Sequence, residues 1–152
     1  MPKPGPEHAY LKAMEGVWDA EMVTPDGNKS AGTMTYKMQV GGLWLTSDYK
    51  GEFAGAEFTG KGLDSYDAKK KKYVGVWVDS MITSPLIMEG DMDEKTHTLT
   101  MNTEGPGPDG KPQKMKMVTK MPDKDHMNFE MFMTGADGKE TSGFKINYTR
   151  KK

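Results

Sequence analysis

The sequence predicts an all-β protein: an antiparallel, up-and-down β-barrel of about ten strands with one short N-terminal helix plugging one end. Three observations predict it. Apolar and polar residues alternate with a period of two along most of the chain, short turn signals recur at roughly ten-to-twelve-residue spacing, and a single segment carries helical spacing. Gly32-Thr33-Met34-Thr35-Tyr36-Lys37-Met38-Gln39-Val40 shows the alternation without a break, with small, apolar or aromatic side chains on one face and Thr, Lys or Gln on the other. Half-buried antiparallel strands need that pattern because successive side chains point to opposite faces.

Taken in order, residues 1–6 (Met1-Pro2-Lys3-Pro4-Gly5-Pro6) read as a flexible tail. Glu7 to Glu15 then places Ala9, Tyr10, Ala13 and Met14 at helical spacing, with Gly16 as a stop. Gly16 to Thr24 is the first strand, ended by the turn Pro25-Asp26-Gly27-Asn28. Ser30 to Val40 follows, then Gly41-Gly42 as a tight hairpin into Leu43 to Lys50. Ala56 to Tyr66 is interrupted by glycine, as where a barrel strand bends or bulges. Tyr73 to Met81, Leu86 to Met92 and His97 to Thr103 come next, and the Gly/Pro-rich stretch Glu104 to Pro112 reads as a loop. Lys114 to Met121, His126 to Thr134 and Thr141 to Arg150 complete the set, with turns at Pro122-Asp123 and Ala136 to Lys139. The whole chain, 1–152, reads as one domain without internal repeats.

Alternation predicts an inner face of Trp18, Met22, Met34, Tyr36, Met38, Leu43, Leu45, Met88, Met92, Leu99, Met101, Met115, Met117, Met127, Phe129, Met131, Phe144, Ile146 and Tyr148. Methionine is unusually frequent, 15 in 152 residues, and its flexible thioether fills irregular apolar space. About ten strands enclose an interior wide enough for a ligand.

Composition narrows the function classes. With 21 basic and 22 acidic residues the net charge is −1, which supplies no field to draw in nucleic acid. The one basic run, Lys69 to Lys72, sits between strand-like segments and reads as a solvated turn. The absence of cysteine excludes disulfides, thiol catalysis and thiolate metal sites. No apolar leader or membrane-spanning run is visible, so a soluble, cytoplasmic protein is the expectation.

Gly16-Val17-Trp18 opens the first strand directly after the helix, and Tyr148-Thr149-Arg150 ends the last. Arg150 is the only arginine in the chain. This arrangement resembles the calycins, the superfamily of lipocalins, fatty-acid-binding proteins and nitrobindin-like barrels. There, a first-strand Gly-x-Trp packs beneath a basic residue of the final strand, so the resemblance assigns Trp18 and Arg150 to barrel closure. More closely, the chain from about His8 onward resembles a bacterial domain-of-unknown-function family, number 1579. Gly16-Val17-Trp18, Gly60 with Tyr66-Asp67, Tyr73 to Met81, Asp137-Gly138-Lys139-Glu140 and Tyr148-Thr149-Arg150 carry that likeness. It implies the barrel and transfers no activity.

Candidate chemistry is sparse. In Tyr73 to Ser84, Val74, Val76 and Val78 share one face and Tyr73, Gly75, Trp77 and Asp79 the other. Both faces are apolar enough to expect an outer cover: the helix, a loop or a second subunit, hence a possible homodimer. If Trp77 points inward so does Asp79, giving the interior a carboxylate; otherwise Asp79 binds backbone N–H groups at the strand end. No cofactor is expected; a haem ligated as in nitrobindin-like barrels would need a histidine inside, and His97, in phase with Leu99 and Met101, is the only candidate on pattern. The absence of a Gly-x-Ser-x-Gly elbow or a His-Glu-x-x-His motif leaves nucleophilic and zinc chemistry without support. Met115-x-Met117 and Met131-x-Met133 have spacing a soft metal such as Cu(I) uses, but strand alternation supplies the same spacing.

The expected function is therefore binding of a small apolar or amphipathic molecule, lined by Tyr36, Tyr49, Trp77, Asp79, Met101, Met117 and Tyr148. An enzyme using Asp79 or His97 as acid or base is the alternative, and a packed barrel serving as a dimerisation or protein-interaction module is a third.

Overall fold

The computed structural model describes residues 1–107 and 109–152. One helix, α1 (Pro6–Lys12), precedes ten strands: β1 (Gly16–Val23), β2 (Lys29–Gln39), β3 (Trp44–Phe53), β4 (Ala56–Asp67), β5 (Lys72–Asp79), β6 (Leu86–Asp93), β7 (Thr98–Pro106), β8 (Pro112–Asp123), β9 (His126–Thr134) and β10 (Glu140–Arg150). Each strand pairs antiparallel with the next, and β1 pairs with β10 to close the barrel. Closure removes free edges, so every strand's backbone is paired on both sides. Trp18 stands opposite Arg150 and Met22 opposite Ile146 across the closing seam.

The helix starts at Pro6, whose fixed φ suits the first helical turn, and Gly5 N–H donates to Nδ1 of His8 at 3.1 Å. It turns His8 and Leu11 inward and closes the mouth where β1 begins. Tyr73 Oη donates to the Glu7 carbonyl at 2.9 Å, anchoring the plug to β5. The helix ends at Lys12, short of the expected Glu15, because the chain tightens there: Met14 N–H and Glu15 N–H bond three residues back, at 3.0 Å each.

The carbonyls left over at that end are taken by side chains. Trp18 Nε1 donates to Met14 O at 2.9 Å, and Arg150 donates from Nη2 to Ala13 O at 3.0 Å and from Nη1 to Glu15 O. Arg150 also donates from Nε to Lys124 O at 2.8 Å and lies 4.2 Å above the Trp18 ring. One guanidinium thus joins helix, first strand, last strand and the β8–β9 turn. Gly16 has φ +130°, and a Cβ there would stand 2.6 Å from Arg150 Nη1, so this position admits only glycine.

Several expected boundaries move. The hairpin between β2 and β3 is a four-residue turn in which Val40, Gly41 and Gly42 all have positive φ, so Leu43 lies in the turn and not on the inner face. The expected loop Glu104 to Pro112 is shorter: Glu104 pairs with Lys114 and Pro106 with Pro112, and Pro108 lies outside the described residues. The glycines of β4 make no bulge, since β4 runs in unbroken register against β3 and β5; among the described residues register shifts occur in the β8–β9 and β9–β10 pairings. Finally, the helix sits in the mouth and does not cover Val74, Val76 and Val78. On that outer wall Leu63 (β4), Val76 (β5) and Ile87 (β6) form one cross-strand row, with Ile87 66% and Val78 46% exposed.

Candidate functional site

The two ends of the barrel differ in packing. At the plugged end Leu11, Trp18, Leu45, Tyr73, Leu99 and Met127 are buried. Toward the open end the inward-facing side chains Phe53, Phe58, Trp77, Met88, Met117, Met131 and Phe144 are only half-buried. Met117 stands between Met101 and Met131, and Met115 opposite Met133, so thioethers form successive rungs on the β7–β9 wall. An aromatic belt runs through this end: Tyr49–Phe58, Phe58–Phe53, Phe53–Phe144 and Phe144–Phe129, with ring centroids 5.7–6.5 Å apart. The Phe53–Phe144 contact bridges β3 and β10 over the short β1–β2 hairpin end.

Glycines under this wall make room for large side chains. The Trp77 indole lies across Gly60 and Gly62: a Cβ on Gly60 would overlap it, and one on Gly62 would stand 3.0 Å from Cε3. The Tyr49 hydroxyl covers Gly32, and the Asp64 carboxylate covers Gly75, each where a Cβ would overlap. A missing Cβ is the physical reason for β4's glycines.

Trp77 Nε1 donates to Asp79 Oδ2 at 2.8 Å, and Asp79 Oδ1 accepts from Met81 N–H at 2.8 Å. Both carboxylate oxygens of Asp79 are therefore engaged at the strand end, and Ser80 Oγ accepts from Thr59 N–H nearby at 3.2 Å. His97 departs from expectation: it occupies the β6–β7 turn with φ +51°, is exposed, and lies against Tyr10 with ring centroids 6.1 Å apart. A residue in a left-handed turn loses the strand's phase, so His97 does not share the inward face of Leu99 and Met101. His126 is exposed and paired with Asp123 at 2.9 Å, and the Lys69–Lys71 turn is held by Asp67, which accepts from the N–H groups of Lys69 and Lys70.

The interior polar groups include Asp64, Tyr36, Tyr49, Tyr148, Ser47 and Thr103, the last donating its hydroxyl to Ile87 O at 2.7 Å. Asp64 faces inward between Leu45 and Gly75, one inward step from the Tyr66–Tyr73 pair. It lies deep in the barrel yet keeps some accessible surface, so that surface belongs to the interior and not to the outer wall. Burial alone pushes its carboxyl up to about 7, with no hydrogen bond or opposite charge to lower it. Tyr36, half-buried, has its phenol pushed well up by burial first and by the Asp64 charge second. Tyr148, 4% exposed, is raised by burial and then by Tyr36 and Tyr49. Tyr49 is 1% exposed, and its Oη has no hydrogen-bond partner among the described residues. His8 Nε2, on the plug beside Tyr66, is a second buried atom in that condition. Tyr36, Tyr49, Met101, Met117, Trp77, Asp79 and Tyr148 thus all occupy the inward phase, the first two and Tyr148 deep, Trp77 and Asp79 near the open rim. Asp64 is the group that sequence reasoning missed.

Two hollows lie away from the open end, one inside the plugged mouth and one on the outer wall. A slot of about 40 Å³ between the plug and β6–β9, lined by Tyr10, Met14, His97 and Met121 among others, has room for a water or a methyl group. A depression of about 520 Å³ on the outer wall of β1, β2 and β10 is bordered by Asp19, Glu21 and Lys29 and lies open to solvent, so it encloses nothing. Among the described residues no cluster of three or more His, Asp or Glu side chains is arranged to hold a metal ion, and no helix is long and apolar enough to cross a membrane.

Fold and interior together define a closed, ten-stranded antiparallel barrel with a helix plugging one end and partly buried side chains at the other. The chain belongs to the DUF1579 family of proteins of unknown function, which matches residues 3–150. No curated protein matches it. Among solved structures it is similar to Rv2717c from M. tuberculosis, with TM-score 0.72 and 13% identity over 97% of this chain and 99% of that one. It is also similar to the S-type phycobiliprotein lyase CPES from Guillardia theta (0.65, 10% identity, 96% and 93% covered) and to EF1p2_mFAP2b bound to DFHBI (0.54, 13% identity, 95% and 98% covered). At such identities the likeness is one of fold.

Proposed function

We propose that the barrel binds a small apolar or amphipathic molecule through its open end. The observation that carries this reading is the incomplete burial of inward-facing side chains: Phe53, Phe58, Trp77, Met88, Met117, Met131 and Phe144 point into the barrel without being packed out of solvent. A barrel filled by its own side chains would bury them. Each ligand methylene placed against this wall contributes about 0.8 kcal/mol, and methionines re-pack around the shape that enters. EF1p2_mFAP2b, a barrel of similar fold, holds DFHBI, which supports a small-molecule role for the architecture. Asp79 serves as a rim group orienting Trp77. Both oxygens of Asp79 accept hydrogen bonds and His97 lies in the β6–β7 turn, so this reading gives Asp79 an orienting role and assigns His97 none.

Titration with N-phenyl-1-naphthylamine, a neutral apolar fluorophore, tests the reading. Saturable one-to-one enhancement that is lost in Met117→Trp, a substitution that fills the middle of the barrel, is the expected result. No saturable enhancement, or enhancement untouched by Met117→Trp, contradicts it.

The outer row Leu63–Val76–Ile87 favours a second, compatible reading, a homodimer through this wall. Sedimentation velocity of wild type and Ile87→Lys tests it: a wild-type dimer that becomes monomeric supports the reading, and a wild-type monomer removes it.

A further inference from the structure

We propose that the interior site selects ligands with a cationic head, a protonated amine or its equivalent, carried on an apolar body. The proposal deepens the container reading above and rests on it.

Four observations carry it. First, Asp64 is an inward-facing carboxylate with neither a hydrogen-bond nor an ion-pair partner among the described residues; its strand neighbours are Leu45 and Gly75. A carboxylate in such a place is strongly disfavoured unless a positive charge or donors meet it. Second, the nearby lysines of β2 to β5, Lys37, Lys50, Lys61 and Lys72, fall in the outward phase, and Lys61 and Lys72 pair with Asp48 and Asp91. Arg150, at the plugged end, is committed to Ala13, Glu15 and Lys124 carbonyls and to the Trp18 face. Third, Tyr49 Oη, further toward the open end over Gly32, is buried and unpartnered, an acceptor that a polar group along the ligand's body can meet. Fourth, the groups nearest the carboxylate on the neighbouring strands are the Ser47 hydroxyl and aromatic side chains: Tyr36 is close enough to feel its charge, and Tyr36 in turn couples to Tyr148. A buried carboxylate with a tyrosine beside it is a setting that stabilises an ammonium or quaternary ammonium group.

The geometry also sets the ligand's direction. Asp64 lies toward the plugged end, and the Phe53–Phe58–Phe144–Phe129 belt lies toward the open end. The cationic head therefore goes in first, and the apolar body is gripped by phenylalanine and methionine. An anionic head is rejected by the same carboxylate, which has no ion-pair partner among the described residues. Asp64 acts as the specificity determinant, and the Phe and Met wall supplies the bulk of the affinity.

Competition against N-phenyl-1-naphthylamine with decylamine, decan-1-ol and decanoate at pH 8, in wild type, Asp64→Asn and Asp48→Asn, tests the proposal. Asp48 is a carboxylate of the outer wall and serves as the control for general attraction of amines. Expected is decylamine binding at least about tenfold tighter than decan-1-ol in wild type and in Asp48→Asn, with decanoate weakest. Asp64→Asn abolishes the amine's advantage while decan-1-ol binds as before. Decanoate equal to or tighter than decylamine, or an amine preference that survives Asp64→Asn or disappears in Asp48→Asn, overturns the proposal and leaves the container reading standing. Failure of all three, and of the fluorophore itself, overturns both.

Discussion

Asp64→Asn separates the account from any in which the interior is an inert apolar fill. In the folded barrel the Asp64 carboxyl is pushed up to about 7 by burial; in the unfolded chain it titrates near the ordinary value of about 3.9. Below the lower value both states are protonated and the group has no effect on stability. Between the two, the folded state holds a proton that the unfolded state has released, so folding stability falls as pH rises. The slope is about 1.4 kcal/mol per pH unit, and the total loss is about 4 kcal/mol by pH 8. Asparagine has the shape of the protonated acid without the charge. The unfolding free energies of wild type and Asp64→Asn should therefore agree near pH 4 and diverge in favour of the variant as pH rises, levelling off above about pH 7.5. Urea denaturation followed by tryptophan fluorescence at half-unit steps from pH 4 to 8 measures this. Other titrating groups are common to both proteins and cancel in the difference. A difference that is constant across the range would refute the reasoning, because it would mean that Asp64 is either solvated or already paired.

Three further substitutions have defined outcomes. Tyr49→Phe removes a buried hydroxyl without a partner and should stabilise the ligand-free protein by about 1 kcal/mol; a loss of that size in a thermal melt would show that Oη has a partner. Arg150→Ala removes the stack on Trp18 and three carbonyl contacts, costing about 2–4 kcal/mol in urea melts and leaving fluorophore affinity unchanged; a variant that melts like wild type but no longer binds would reverse the division between closure and binding residues. Gly60→Ala forces the Trp77 ring off its glycine bed, costing about 1–3 kcal/mol and shifting Trp77 emission; an unchanged spectrum would place the indole elsewhere.

Most of the fold was legible because period-two alternation survives in nearly every strand and each turn carries its own chemistry. The Asp109-Gly110-Lys111 and Asp137-Gly138-Lys139 turns show why: in both, the aspartate accepts the lysine N–H at 3.0 Å. Such local bonds are encoded locally. Boundaries that depended on longer-range pairing were less visible. Pro106 and Pro112 look like loop residues, yet they face each other at the end of a ladder where their missing N–H groups are tolerated.

Asp64 escaped for a specific reason. In Gly60-Lys61-Gly62-Leu63-Asp64-Ser65-Tyr66 the binary pattern is inverted, with Leu63 on the outer wall and Asp64 inside, so hydrophobicity assigns them to the wrong faces. Stepping back by twos from Tyr66 through Asp64, Gly62 and Gly60 to Phe58 recovers the true phase, because both aromatic anchors are inward. Asp79 is the more conspicuous carboxylate in the pattern, since it shares its strand with Trp77, but a carboxylate at a strand end finds backbone and side-chain donors that one in mid-strand lacks. His97 fell outside the pattern because a positive φ resets the alternation, which no count of residues reveals.

Methyl NMR of protein labelled at the methionine methyl carbons reads the central claim directly, because the label is distributed over both interior and surface. On addition of N-phenyl-1-naphthylamine the Met88, Met101, Met117 and Met131 methyls, all inward-facing, should shift in a saturable way while those of exposed Met1 and Met81 stay fixed. Shifts confined to Met81, or an interior set that does not respond at saturating fluorophore, would contradict a ligand-binding barrel.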